Sequence, residues 1–177
     1  MWWDCFSAAK PEGMEMLKLI LMRHAKSDWS QGNQSDHQRP LNSRGIRDAK
    51  RMGTWLKEND LTPEIILCSN ACRTEQTAEL MLEQWESKPA LCLTQELYLA
   101  SPESIQRTVH QDACDFGCVM VLAHNPGISY LISLLAGEDI QLPTAGLAVL
   151  ELSIEHWSEL RNSSRVRLIS LTKPKAL

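Results

Sequence analysis

The sequence predicts an α/β fold, a three-layer α/β/α sandwich around a mostly parallel sheet. Two observations carry this. Short apolar runs of strand length alternate with longer segments whose apolar residues recur at helical spacing, in the order β-α-β-α-β-α-β-α-β-β. Several runs are apolar nearly throughout, as strands covered by helices on both faces are. At 177 residues, 44% of them hydrophobic and 23% charged, the chain has the length and composition of one globular domain with a sizeable core.

Leu17–Met22 (LKLILM) reads as the first buried strand. Residues 24–40 are polar, hold Gly32, Asn33 and Pro40, and read as a loop. Asn42 suits the cap of a helix running to about Glu58, with Ile46, Ala49, Met52, Gly53 and Leu56 on one face. Pro63 punctuates the chain, and Glu64–Cys68 is a second strand. Ser69 or Asn70 is expected to cap a helix from Cys72 to Trp85, followed by a third strand at Ala90–Leu93. Ser101 as cap and Pro102 in the first turn open a helix that runs to about Gln111. Cys118–Ala123 (CVMVLA) is a fourth buried strand, and a turn at Asn125-Pro126-Gly127 leads into a helix over Ile128–Leu135. Leu147–Ser153 and Val166–Leu171 finish the chain as strands; the short connection around Trp157 predicts that they pair antiparallel. Residues 1–16 show neither periodicity and are expected to be an accessory tail to a domain over 17–177.

Eighteen basic against 22 acidic residues give a net charge of −4, which disfavours general nucleic-acid binding. No run approaches the ~18 apolar residues of a membrane span, and the start resembles neither a secretory signal nor a myristoylation site. Six cysteines in a chain this long are expected to be reduced thiols, which points to the cytoplasm; nothing in the sequence requires more than a monomer.

In open α/β sheets, sites form beyond the carboxyl ends of the strands. There the sequence places Arg23 and His24 after the first strand, Ser69 and then Arg73 after the second, and His124 and Asn125 after the fourth. Any one of these alone is an ordinary surface charge or loop residue. Two histidines and two arginines converging from three strands are a phosphoryl site in residue type. Guanidinium forks hold phosphate and stay charged. A helix starting near Arg73 adds backbone donors. A neutral imidazole beside arginines can attack phosphorus, and a second can stabilise the transferring group. There is no P-loop pattern and no evident carboxylate cluster, so no cofactor and no metal are expected.

At these residues the chain resembles a known family. L-I-L-M-R-H-A-K-S-D-W, C-S-N-A-C-R-T-E-Q-T-A-E and A-H-N-P-G are similar, in order, to the three signature elements of the histidine phosphatase (phosphoglycerate-mutase-like) superfamily. D-H-Q-R-P-L-N-S-R-G resembles the connecting loop of its short branch, typified by the phosphohistidine phosphatase SixA. The resemblance implies a phosphoglycerate-mutase-like fold, His24 as phospho-accepting nucleophile, Arg23 and Arg73 as phosphate clamp, and His124 as stabiliser, with Ser69 and Asn125 among the substrate contacts. Ala25 stands where much of the superfamily has glycine. Only about fifty residues separate Arg73 from His124, so no sizeable cap is expected over the site. Glu96 is the candidate general acid, against the plainer reading of a solvated loop charge. A weak acid and a shallow pocket favour a phosphohistidine or another phosphoprotein as substrate, possible sources including a histidine-phosphotransfer domain. A small-molecule phosphomonoesterase and a non-catalytic phosphate-binding module are the alternatives.

Overall fold

A computed structural model describes residues 16–30, 35–113, 115–162 and 166–177. The accessory tail expected over 1–16 lies outside the described residues except for Met16, whose sulfur accepts a hydrogen bond from the Ser153 hydroxyl at 3.3 Å.

Six strands form one sheet: β1 (Leu17–Arg23), β2 (Ile65–Ser69), β3 (Ala90–Thr94), β4 (Cys118–Ala123), β5 (Leu147–Leu152) and β6 (Val166–Thr172), in the spatial order β3-β2-β4-β1-β5-β6. β1 and β2 both pair with β4 in parallel, and β2 pairs with β3 in parallel. β5 and β6 pair antiparallel, as the short connection predicts. β5 is also antiparallel to β1, so the reversed strand has two antiparallel neighbours, not the one the sequence predicts. The run LAVLEL is apolar whichever way it points; strand direction is decided by where the chain re-enters the sheet.

Among the described residues four α-helices cover the two faces: α1 (Ser43–Glu58), α2 (Cys72–Leu82), α3 (Pro102–Asp112) and α4 (Gly127–Ala136). Alternate residues of each central strand serve opposite layers. Ile20, Met22, Ile66, Cys68, Met120 and Leu122 pack with Ala49, Met52 and Leu56 of α1 and Ala78 and Met81 of α2. Leu19, Leu21, Leu67, Val119 and Val121 pack with Ile105 and Val109 of α3 and Ile128, Leu131 and Ile132 of α4. These side chains are almost fully buried, the Leu, Ile, Val and Met among them each contributing roughly 1.5–3 kcal/mol of transfer free energy.

The cap of α1 is Asn42, whose side-chain oxygen accepts from the Gly45 N–H at 2.9 Å. Ser101 caps α3 in the same manner, with Pro102 in the first turn. α2 departs from expectation at both ends. Its cap position is Ala71 with no side-chain bond, because Ser69 and Asn70 are engaged elsewhere. It stops at Leu82, and Trp85 turns in to donate its indole N–H to the Gly53 carbonyl at 2.8 Å. That bond ties the end of α2 to α1.

Candidate active site

The carboxyl ends of β1, β2 and β4 open into one pocket of about 310 Å³. Arg23 and His24 leave β1, Arg73 sits in the first turn of α2, and His124 and Asn125 follow β4; all five line it. Ser69, at the end of β2, stands behind His124 and bonds its ring. The sequence-predicted group therefore converges, with the exception of Glu96. Glu96 lies on a single 3-10 turn (Gln95–Leu97), is exposed, and does not line the pocket. A turn beside an edge strand holds the residue outside the lining of the pocket.

The two histidines have defined tautomers. His24 Nδ1 lies 2.7 Å from the Ala25 carbonyl, an acceptor, so Nδ1 carries the proton. Arg73 Nε–H, a donor only, lies 3.3 Å from His24 Nε2, so that nitrogen is unprotonated and its lone pair accepts from Arg73. Arg73 Nη2 lies 3.2 Å from His124 Nδ1, which therefore accepts, and His124 Nε2–H donates to the Ser69 hydroxyl at 2.8 Å. The two rings stand 5.1 Å apart between centroids.

Both rings are neutral at physiological pH. Burial is the main cause for His24 and takes its pKa down to about 4; the Ala25 carbonyl opposes this, and Arg73, Arg23 and Arg39 reinforce it. Desolvation leads, ahead of the neighbouring arginines. His124 falls to about 3 by burial first, then by the proximity of His24 and Arg73.

Arg73 is the hub. Only 2% of it is exposed, and a guanidinium so buried needs partners for its whole fork. Beyond the two histidines it donates Nη1 to the Asp36 carbonyl at 2.5 Å and Nη2 to the Asp36 carboxylate at 2.9 Å. Asp36 also accepts from the Tyr98 hydroxyl at 2.7 Å and pairs with Arg39 at 2.9 Å. Partial burial pushes its carboxyl up, but the Tyr98 hydroxyl and the Arg73 and Arg39 charges outweigh this and hold it below the ordinary carboxylate value. Asp36 is the only carboxylate among the described lining residues, and it is ionised.

Lys26 and Ser27, which follow His24 at the end of the first strand, join the lining without having been given a role from the sequence, and the sequence reading missed Trp29, Asp36, Arg39, Leu99 and Thr144, which complete it. Most belong to loops, where no periodicity marks them. The available signals were the two quoted motifs that contain Trp29, Asp36 and Arg39, and the Asp36–Arg39 pair three residues apart in a turn-rich stretch. Arg39 lies flat on the Trp29 ring, 3.5 Å from its centroid. Leu99 adopts the left-handed region, at φ 49°, and stands at the pocket with over half its surface exposed. Among the described residues no group of three or more His, Cys, Asp or Glu is placed to hold a metal ion. No helix among them is long and apolar enough to cross a membrane.

The chain belongs to the histidine phosphatase superfamily: residues 19–96 match its branch 1. The family, together with solved neighbours that include SixA proteins, supports a phosphatase activity. A structure from Agrobacterium tumefaciens, provisionally assigned as the phosphohistidine phosphatase SixA, is 27% identical, has a TM-score of 0.76, and matches over 89% of this chain and 98% of its own. A similarly assigned structure from Nakamurella multipartitia is 28% identical with a TM-score of 0.77, over 93% and 99% of the two chains. An uncharacterised protein of Mycobacterium tuberculosis is 34% identical over 150 residues, covering 78% of this chain and 91% of that one.

Proposed function

We propose that the protein hydrolyses phosphohistidine carried on another protein, through a phosphorylated His24. The observation that carries this is the state of Asp36. The one carboxylate among the described lining residues is ion-paired and ionised, so it cannot protonate a leaving group. An alkyl phosphate must leave as an alkoxide and needs such a proton. A phosphohistidine protonated on its free ring nitrogen leaves as neutral imidazole and does not.

The steps follow from the tautomers. His24 Nε2 attacks phosphorus, the substrate's P–N bond breaks, and its imidazole departs neutral. The phosphoryl group then sits on His24 Nε2, while Nδ1–H stays on the Ala25 carbonyl. Water attacks phosphorus and the Nε2–P bond breaks. His24 also leaves neutral, because Nδ1 has kept its proton, and the water's hydrogens end on phosphate. Neither half needs an acid. Arg23 and Arg73 offset the charge of the phosphoryl oxygens, and their preorganisation by Leu142, Asp36 and His124 avoids reorganisation as that charge shifts. The volume of the pocket suits one phosphorylated side chain offered from a surface better than an enclosed metabolite.

The test is a panel of a histidine-phosphorylated protein, an aryl phosphate and an alkyl phosphate. The highest kcat/KM is expected for the first and the lowest for the last. A preference for the alkyl phosphate overturns the reading.

A further inference from the structure

The lining of the pocket is more basic than one phosphoryl group requires. Among the described lining residues Arg23, Lys26, Arg39 and Arg73 face a single carboxylate, Asp36, in a chain whose net charge is −4. A phosphoryl group with two negative charges offsets two of the four cations and Asp36 a third. One positive charge is left over.

That charge has a location. Arg23 and Arg73 flank the two histidines. Lys26 and Arg39 line the same pocket from the segments that lead from His24 to α1, and Arg39 shares Asp36 with Arg73. Two residues of chain span at most about 7 Å, so Lys26 stays close to the nucleophile. It has no ion pair among the described residues. Arg39 is held, with its side chain 13% exposed, Nη2 on Asp36, and its flat face on Trp29. Its Nε is buried without a hydrogen-bond partner. Trp29 itself is 71% exposed, an aromatic wall turned to solvent at the mouth. A buried donor without a partner costs on the order of 1–3 kcal/mol, which an incoming acceptor recovers.

We infer that Lys26 and Arg39, backed by Trp29, form a second anion subsite that takes an acidic side chain flanking the phosphohistidine of the substrate protein. This rests on the function proposed above and narrows its substrate class: the phosphohistidine sits next to Asp or Glu. The short reach from His24 to Lys26 limits the second charge to an immediate neighbour of the phosphorylated residue.

The experiment compares two short phosphohistidine peptides, one with Glu on both sides of the phosphorylated residue and one with Gln. The wild type is expected to favour the Glu peptide in kcat/KM by roughly three- to tenfold at low salt, with the gap narrowing as ionic strength rises. In Lys26→Gln and in Arg39→Gln the ratio between the peptides should fall toward one; a ratio cancels any general loss of activity. Equal turnover of the two peptides by wild type, or a preference that survives both substitutions, overturns the acidic subsite and leaves the phosphohistidine reading standing. Failure to turn over either peptide overturns that reading and the subsite together. An alkyl bisphosphate that inhibits better than the Glu peptide assigns the extra charge to a small molecule and overturns the inference.

Discussion

The Nε–H of Arg73 is directed at Nε2 of His24 from 3.3 Å, while the Ala25 carbonyl holds the proton of the ring's other nitrogen. The lone pair of His24 is thereby aimed at the spot where a guanidinium charge is concentrated, as a nucleophile toward phosphorus requires. His24→Ala should abolish turnover without unfolding the protein. Wild type quenched in base during turnover should carry phosphate on His24. Phosphate found on another residue, or an active His24→Ala, would contradict the assignment.

Arg73 serves four acceptors at once: both histidine rings, the Asp36 carbonyl and its carboxylate. Lysine keeps the charge but has no planar fork, so Arg73→Lys cannot hold these partners together. kcat/KM should drop about 100-fold or more, near 3 kcal/mol of transition-state stabilisation. Near-wild-type kinetics would show that the fork is dispensable.

The neutral histidines link stability to pH. The pKa of His24 is lowered to about 4 and that of His124 to about 3, whereas both are near 6.5 in the unfolded chain. The unfolded chain therefore takes up protons first as pH falls. The stabilisation is fully present above about pH 6.5 and is lost toward pH 4 and below, reaching roughly 2 kcal/mol per histidine by pH 5. Urea unfolding at pH 7.5 and 5 should show this loss in wild type. The double variant His24→Asn, His124→Asn should lose far less; equal acid sensitivity would mean the rings are not the source.

Two carboxylates test the claim that no acid operates. Glu96 is exposed and outside the pocket, so Glu96→Gln should leave all substrates within about twofold of wild type. Asp36 is ionised and sits against Arg73 and Arg39. Asp36→Asn removes a negative charge that opposes phosphate, so vanadate, a mimic of the trigonal-bipyramidal transition state, should bind more tightly. An acid role would instead show as a 10²–10⁴-fold loss confined to the alkyl phosphate.

The reach of the sequence follows from what each signal is made of. Asn42 and Ser101 were readable as caps because a cap is a local bond, and Arg23, His24, Arg73 and His124 because the ends of strands are sites in this fold class. Ser69 was misread as a cap since its hydroxyl is taken by His124, 55 residues away. Asp36, Arg39 and Trp29 escaped notice because their roles arise from a loop folding over Arg73, a contact with no period and no local partner. The antiparallel seat of β5 against β1 was equally invisible, as it joins residues more than 120 apart in the chain.

Gly45 tests how firmly the nucleophile's loop is tied to the helix beneath it. A glycine inside a helix costs up to about 1 kcal/mol relative to alanine, so Gly→Ala there ordinarily stabilises. Gly45 lies in the first turn of α1, and its N–H is the donor that Asn42 caps. A Cβ built on it falls 2.2 Å from the Lys26 carbonyl oxygen, a backbone atom that also accepts from the Asn42 N–H at 3.0 Å. That oxygen cannot move aside without breaking the bond that seats the His24–Ser27 segment on α1. The clash should outweigh the propensity gain, and Gly45→Ala should destabilise by about 1–3 kcal/mol. Because the displaced segment begins at His24, kcat should fall with stability. The measurement is denaturant unfolding beside turnover at a temperature where the variant is still folded. A variant more stable than wild type, with unchanged kcat, would show that α1 and the His24 loop are not locked at this point.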